Sequence, residues 1–275
     1  MTEPTVVILA DPEACALAAA ERIIEILDVA IDDRGEAHWV TTGGSTPAAI
    51  YRHLASGSLR GELDWRKVRL WFTDERFVPL DHPLSNAKIA FDILLDAGAF
   101  GGYSGTGQSG SDVETGREPG VPIRSDNIHP FPVGAAIGES RDNHWAAARY
   151  AAEIREDGVE ENDDGLPAFD LFLLGVGPDG HILSVFPGSE AFDDDAWAVG
   201  VPAPTHVEPH VARVTLNPAL VPAARELLVV ATGSGKAEVL RDVLTSPLEP
   251  RRLPAQLARR PSATWFLDRA AAAAL

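Results

Sequence analysis

Short apolar, β-branched runs alternate along the chain with longer stretches whose apolar residues recur at a helical period. Thr5–Ala10 (TVVILA) predicts a first strand, and Asp11 with Pro12 predicts the opening of a helix. In that helix Ala14, Leu17, Ala18, Ile23, Ile24 and Leu27 fall near a period of about 3.6 residues, the mark of one buried face. His38–Thr42 predicts a second strand, Thr46–Leu54 a second helix and Val68–Thr73 a third strand. Asn143–Glu156 reads as a helix, and Phe169–Leu174 (FDLFLL) as a fully buried strand. Arg213–Leu216, Leu227–Ala231 and Ala263–Leu267 predict further strands, with a helix over Gly235–Leu244. This alternation predicts βαβ units. The expected fold is α/β, a single Rossmann-like domain over residues 1–275, with a mostly parallel sheet and helices on both faces. One stretch breaks the rhythm. Phe100–Val121 is rich in Gly and Ser and has no period, which predicts a flexible surface loop at about 100–121 rather than a linker.

Charge narrows the choice of partner. The chain has 275 residues, with 23 Lys plus Arg against 41 Asp plus Glu, a formal net charge of −18. Nucleic acids and anionic membranes are therefore excluded as expected partners, since their binding rests on Lys and Arg meeting phosphates. No apolar stretch is long enough to span a bilayer, which takes roughly 18 or more residues. The N-terminus carries Glu3 and no Lys or Arg, unlike a secretory leader. A cytoplasmic protein is expected, monomeric or a small homo-oligomer. Cys15 is the sole cysteine, so no intrachain disulfide forms, and its apolar neighbours predict a core position. The lysines are only Lys67, Lys88 and Lys236, which makes the place of each worth noting.

In parallel α/β sheets ligands bind outside the carboxyl ends of the strands, so the loops after strands carry the candidate chemistry. The first is Thr42-Gly43-Gly44-Ser45-Thr46-Pro47. Its glycines allow close backbone approach, Ser45 or Thr46 suits a helix cap, and free N–H groups at the helix start suit a phosphate. An ordinary capped turn fits the same residues. The second, Asp74-Glu75-Arg76, sets two carboxylates and a guanidinium at a strand end, a pattern that also fits a solvated turn. The third, Gly175-Val176-Gly177-Pro178-Asp179-Gly180-His181, matches the spacing of a dinucleotide-binding loop. That reading is weakened by Pro187 and Gly188, which interrupt where a helix must follow. The loop instead offers a histidine, the commonest general base, beside a carboxylate that can orient its ring. The fourth, Thr232-Gly233-Ser234-Gly235-Lys236, is no Walker loop, yet it sets a rare lysine at a helix start. Arg213, opening RVTL, is a further cation, or an edge-strand surface charge. His206 and His210 are four apart, but Pro209 between them argues against a zinc pair.

Taken together, TTGGSTP, WFTDERFVPLDHPLSN, FDLFLLGVGPDGHILSVFPGS, RVTLNPALV and GSGKAEVL resemble the 6-phosphogluconolactonase family, within the glucosamine-6-phosphate isomerase/deaminase-like superfamily. The matching stretches run from about Val40 to Leu240. SVFPGS looks like the lactonase form, where amino-sugar phosphate deaminases carry an acidic residue; ILSV departs from the small residues more usual there. The resemblance implies a NagB/RpiA/CoA transferase-like fold. It also implies hydrolysis of 6-phospho-D-glucono-1,5-lactone to 6-phosphogluconate in the pentose phosphate pathway, with no metal and no cofactor. It assigns His181 as general base for water with Asp179 behind it. Arg76 serves the oxyanion or the substrate, two roles the sequence leaves open. Arg213, Lys236 and the loop of Gly43, Gly44, Ser45 and Thr46 would hold the 6-phosphate. Asp74 and Glu75 would order Arg76 or bind sugar hydroxyls, Asn86 would position a loop, and Gly177 belongs to the substrate-binding turn. A deaminase and a non-catalytic sugar-phosphate sensor are the alternatives, the latter without the basic DNA-binding extension that such sensors carry.

Overall fold

The computed structural model describes residues 3–95 and 120–275, so nearly all of the segment expected to loop at about 100–121 lies outside the described residues. From the N-terminus the chain forms β1 (Thr5–Leu9), α1 (Pro12–Arg34), β2 (Ala37–Thr41), α2 (Ser45–Ala55) and β3 (Val68–Phe72). Next come β4 (Asp74–Arg76), α3 (Asn86–Ile93), β5 (Ile128–His129), α4 (Val133–Gly138), α5 (Asn143–Asp157) and β6 (Leu171–Leu174). The last part forms β7 (Ala198–Val201), β8 (Arg213–Leu216), α6 (Leu220–Ala223), β9 (Glu226–Ala231), α7 (Ala237–Thr245) and β10 (Ala263–Asp268).

Among the described residues, seven strands make one sheet in the order β1-β10-β9-β6-β2-β3-β5, and every pairing in it is parallel. Parallel neighbours need crossovers long enough to return the chain, and the intervening helices supply them. α1 starts where the sequence predicts: Asp11 caps it by accepting the Ala14 N–H at 2.9 Å, and Pro12 fills the first helical position. Its inner face carries Cys15, Ala19, Ile23, Leu27 and Ala30. Leu17, expected on that face, is 41% exposed, because the buried stripe runs through Ala16 and Ala20 instead. β6 is buried throughout, as its unbroken apolar run requires.

A second, three-stranded antiparallel sheet has the order β4-β8-β7. It corrects two expectations. Asp74–Arg76 is a strand rather than a loop, because its charged side chains find buried partners. Arg213 lies on the central strand and is only 2% exposed, so it is no edge charge. The break expected after the third glycine loop is present: the chain beyond β6 has no helix until a single 3₁₀ turn at Glu190–Asp193. Among the described residues no helix is long and apolar enough to cross a membrane.

Candidate active site

The carboxyl ends of β2, β6 and β9, neighbours at the middle of the large sheet, open into one cavity of about 350 Å³. It is walled by all four loops singled out in the sequence, by the start of α3 and by Val207 and Glu208.

After β2 the chain turns on Gly44, whose φ of 110° is a conformation that favours glycine. α2 then begins at Ser45, and no side chain caps it. Ser45 and Thr46, expected as caps, already belong to the first helical turn, and the cap position holds glycine. The N–H groups of that turn are left at the cavity wall, where helix polarity favours an anion. A Cβ at Gly43 would fall 2.1 Å from Oδ1 of Asn86, so this loop packs against α3 only as glycine.

On β4 side chains alternate between faces, so Asp74 and Arg76 share one and Glu75 takes the other. Asp74 and Arg76 line the cavity. Glu75 instead accepts four hydrogen bonds, at 2.7–2.9 Å, from the N–H groups of Arg76, Asn86 and Ala87 and from Ser85 Oγ. It is 4% exposed, and burial pushes its carboxyl up to about 7 against the pull of those donors. Its role is to fasten the start of α3 to β4. Asn86 adds a second tie, donating from Nδ2 to the Asp74 carbonyl at 3.0 Å.

Arg76 and Arg213 stand directly opposite each other across the β4–β8 pair. Like charges so placed repel. Arg76 donates to the Leu84 carbonyl at 2.9 Å and Arg213 to that of Pro209 at 3.1 Å. The buried Nε–H of each has no partner among the described residues. Burial lowers the pKa of Arg213, and neighbouring Asp74 opposes that shift. Asp74 is held in turn by Ser184 Oγ at 2.6 Å and Thr73 Oγ1 at 2.8 Å. Two guanidiniums and one carboxylate leave this wall with a positive surplus and unused donors.

The turn after β6 closes on itself: the Gly180 N–H donates to the Gly177 carbonyl at 3.1 Å, and the Gly177 N–H to that of His181 at 2.8 Å. This folds the His181 ring back over Gly177, where a Cβ would lie 2.0 Å from Nδ1. The ring is then fixed by Asp179, whose Oδ1 lies 2.5 Å from His181 Nδ1 and also accepts the His181 backbone N–H at 3.2 Å. Burial alone would raise the Asp179 carboxyl. The hydrogen bonds from His181 and His206 more than offset it and hold the group well below the usual carboxylate range. With Nδ1–H donated to a carboxylate, the neutral ring carries its lone pair on Nε2.

Lys236 is the N-cap residue of α7, after β9, and lines the same cavity. Burial lowers its pKa, against the attraction of Asp179. It forms no ion pair among the described residues, and an arriving anion would stabilise its charge.

Every site residue expected from the sequence thus lines this cavity except Glu75 and Asp179, which stand behind it on α3 and on His181. Sequence reasoning missed Ser184, Glu208 and His206. Ser184 lies within the stretch that carries the resemblance, but only its contact with Asp74 in space gives it a role, and no motif surrounds Glu208. His206 meets Asp179 across 27 positions, a contact visible only in space.

The sequence and the fold have known counterparts. The model of the family described as glucosamine-6-phosphate isomerases/6-phosphogluconolactonase matches residues 10–266. A 6-phosphogluconolactonase of Streptomyces coelicolor is 32% identical over 273 residues, covering 99% of this chain and 95% of the relative. That of Mycobacterium tuberculosis is 31% identical, covering 98% and 97%. A solved 6-phosphogluconolactonase from Trypanosoma cruzi superposes with a TM-score of 0.80 at 27% identity, over 99% of this chain and 97% of its own. A monomeric glucosamine-6-phosphate deaminase shares the fold, with a TM-score of 0.73 at 18% identity. The parallel sheet, the His181 turn and the matched span lead to one conclusion: the chain belongs to the glucosamine-6-phosphate isomerase/6-phosphogluconolactonase family.

Proposed function

We propose that this protein hydrolyses 6-phospho-D-glucono-1,5-lactone to 6-phosphogluconate, with His181 as the base. The observation that carries this reading is a histidine whose Nδ1 is held by a partly buried carboxylate while its ring borders a cationic cavity. A lactone carbonyl is already electrophilic, so catalysis needs an activated water and a home for the oxyanion. Nε2 of His181 takes a proton from water as its oxygen bonds to the carbonyl carbon. Asp179, ionised throughout the neutral range, stabilises the imidazolium that results. When the intermediate collapses, the bond from that carbon to the ring oxygen breaks. The proton on Nε2 passes to the departing oxygen, which becomes the hydroxyl of the open-chain product. Arg76 stabilises the oxyanion or grips the substrate beside it. Arg213, Lys236 and the first turn of α2 hold the phosphate, a dianion that suits a helix N-terminus and charge-assisted donors.

A coupled assay tests the activity. Lactone generated in place by glucose-6-phosphate dehydrogenase should disappear far faster than by spontaneous hydrolysis, and glucosamine 6-phosphate run in parallel should release no ammonia. Absence of acceleration overturns the reading. In the same assay Lys236→Ala should raise KM for the lactone roughly 10- to 100-fold, the worth of one charge-assisted hydrogen bond, with kcat within a few-fold of wild type. An unchanged KM removes Lys236 from the phosphate site.

A further inference from the structure

The base is held by Asp179, and Asp179 is itself held. One carboxylate oxygen, Oδ1, is taken by His181; the other, Oδ2, lies 3.0 Å from Nε2 of His206. A carboxylate that accepts from a single side chain can still swing about its last torsion. One that accepts on both oxygens from two different directions cannot. The ring of Phe186 reinforces the arrangement. It packs at 4.7 Å from the His181 ring and edge-on at 5.5 Å from that of His206, so one aromatic spacer sets the separation of the two imidazoles. His206 comes from the segment between β7 and β8, whose next two residues, Val207 and Glu208, are part of the cavity wall. That segment is braced by His210, whose Nδ1 meets the Pro204 carbonyl at 2.7 Å.

We propose that His206 is a positioning residue for the lactonase reaction. Its Nε2–H locks the second oxygen of Asp179, and through Asp179 it fixes the orientation of His181. It touches neither the reacting carbonyl nor the phosphate. Its side chain is about half exposed, so its loss opens no core cavity, and the effect falls on catalysis rather than folding. The segment that walls the cavity is thereby fastened to the base, and a movement of Val207 or Glu208 is felt at Asp179.

The inference rests on His181 being the base, and four variants separate the two claims. His206→Ala removes the donor, and His206→Asn is too short to reach Oδ2. His206→Gln returns an amide N–H at comparable reach, and His181→Ala reports on the base itself. Steady-state kinetics on the freshly made lactone should show kcat down roughly 5- to 30-fold in the Ala and Asn variants, a discounted share of the worth of a hydrogen bond to a charged group because His206 is half exposed and acts through Asp179. KM should stay within about two-fold, thermal midpoints should stay near wild type, and the Gln variant should recover to within about three-fold. Wild-type turnover in His206→Ala overturns the proposal. So does an equal loss in Ala and Gln, which would mean that the ring packs on Phe186 and its N–H is idle, and so does a loss confined to KM. If His181→Ala itself keeps normal turnover, the reading of the base falls first, whatever the His206 series shows.

Discussion

His181→Ala lowers kcat for lactone hydrolysis by roughly 10²–10⁴-fold while the protein folds and still binds the substrate. The fold survives because the ring sits at the cavity edge, on a turn closed by its own backbone hydrogen bonds, between Gly177 and Gly180 and between His181 and Gly177. Removing the imidazole deletes no core contact beyond its tilted packing on Phe186. Binding survives because the phosphate is assigned to Lys236, Arg213 and the α2 turn, on other elements. The rate does not survive, because among the described residues bordering the cavity no other side chain pairs an imidazole nitrogen with a fixed carboxylate. Residual turnover above the spontaneous reaction measures what the cationic wall does alone. Turnover near wild type would move the base elsewhere, and Glu208 would be the next group to examine.

Glu75→Ala is expected to be the largest loss of stability among the site changes, on the order of 3 kcal/mol at pH 5, or roughly 6–10 °C in the midpoint of thermal unfolding. The substitution leaves three backbone N–H groups and one hydroxyl, all at the junction of β4 and α3, without their acceptor. Each buried donor so abandoned costs about 1–3 kcal/mol before local relaxation. The effect depends on pH in a definite direction. Burial raises the Glu75 carboxyl from its ordinary 4.5 to about 7. Folding therefore favours the protonated group, and the stability Glu75 contributes is fully present below about pH 4.5 and declines as pH rises through 7. The deficit of Glu75→Ala should be larger at pH 5 than at pH 8, by calorimetry or chemical unfolding. A pH-independent deficit would show that burial does not govern this carboxyl. Activity should also suffer, since Asn86 and Arg76 both hang from the same carboxylate through their backbone N–H groups.

The sequence makes the large sheet readable because its strands are apolar runs separated by capped helices, and Asp11 before α1 and Asp142 before α5 cap in the standard way. The small sheet is harder to see. β4 is three charged residues, and charge ordinarily argues for solvent; donors from Ser184 and Thr73 for Asp74, and from Arg76, Ser85 and the start of α3 for Glu75, make their burial tolerable. β7 has no apolar alternation, and its Gly200 packs closely against His144. The two-residue period of a strand at Asp74–Arg76 is by itself enough to separate Asp74 and Arg76 from Glu75. The site itself was legible where chemistry and loop position coincide, as at His181, Arg76 and Lys236. It was illegible where function is a contact between distant segments. His206 is a plain histidine in a Pro-rich stretch until Asp179 is brought beside it.

The turn that resembles a dinucleotide loop owes its glycines to something else. Gly175 has open space where a side chain would go, whereas at Gly177 the imidazole of His181 occupies the place a methyl group would take. The second glycine is a mould of the base, written four residues ahead of it. Positions 177 and 181 therefore cannot drift independently: a side chain at 177 is compatible only with a smaller residue at 181, and a histidine at 181 demands a bare backbone at 177. Substitutions at the two sites are strongly epistatic, and any redesign of this turn around a different base begins by releasing the glycine.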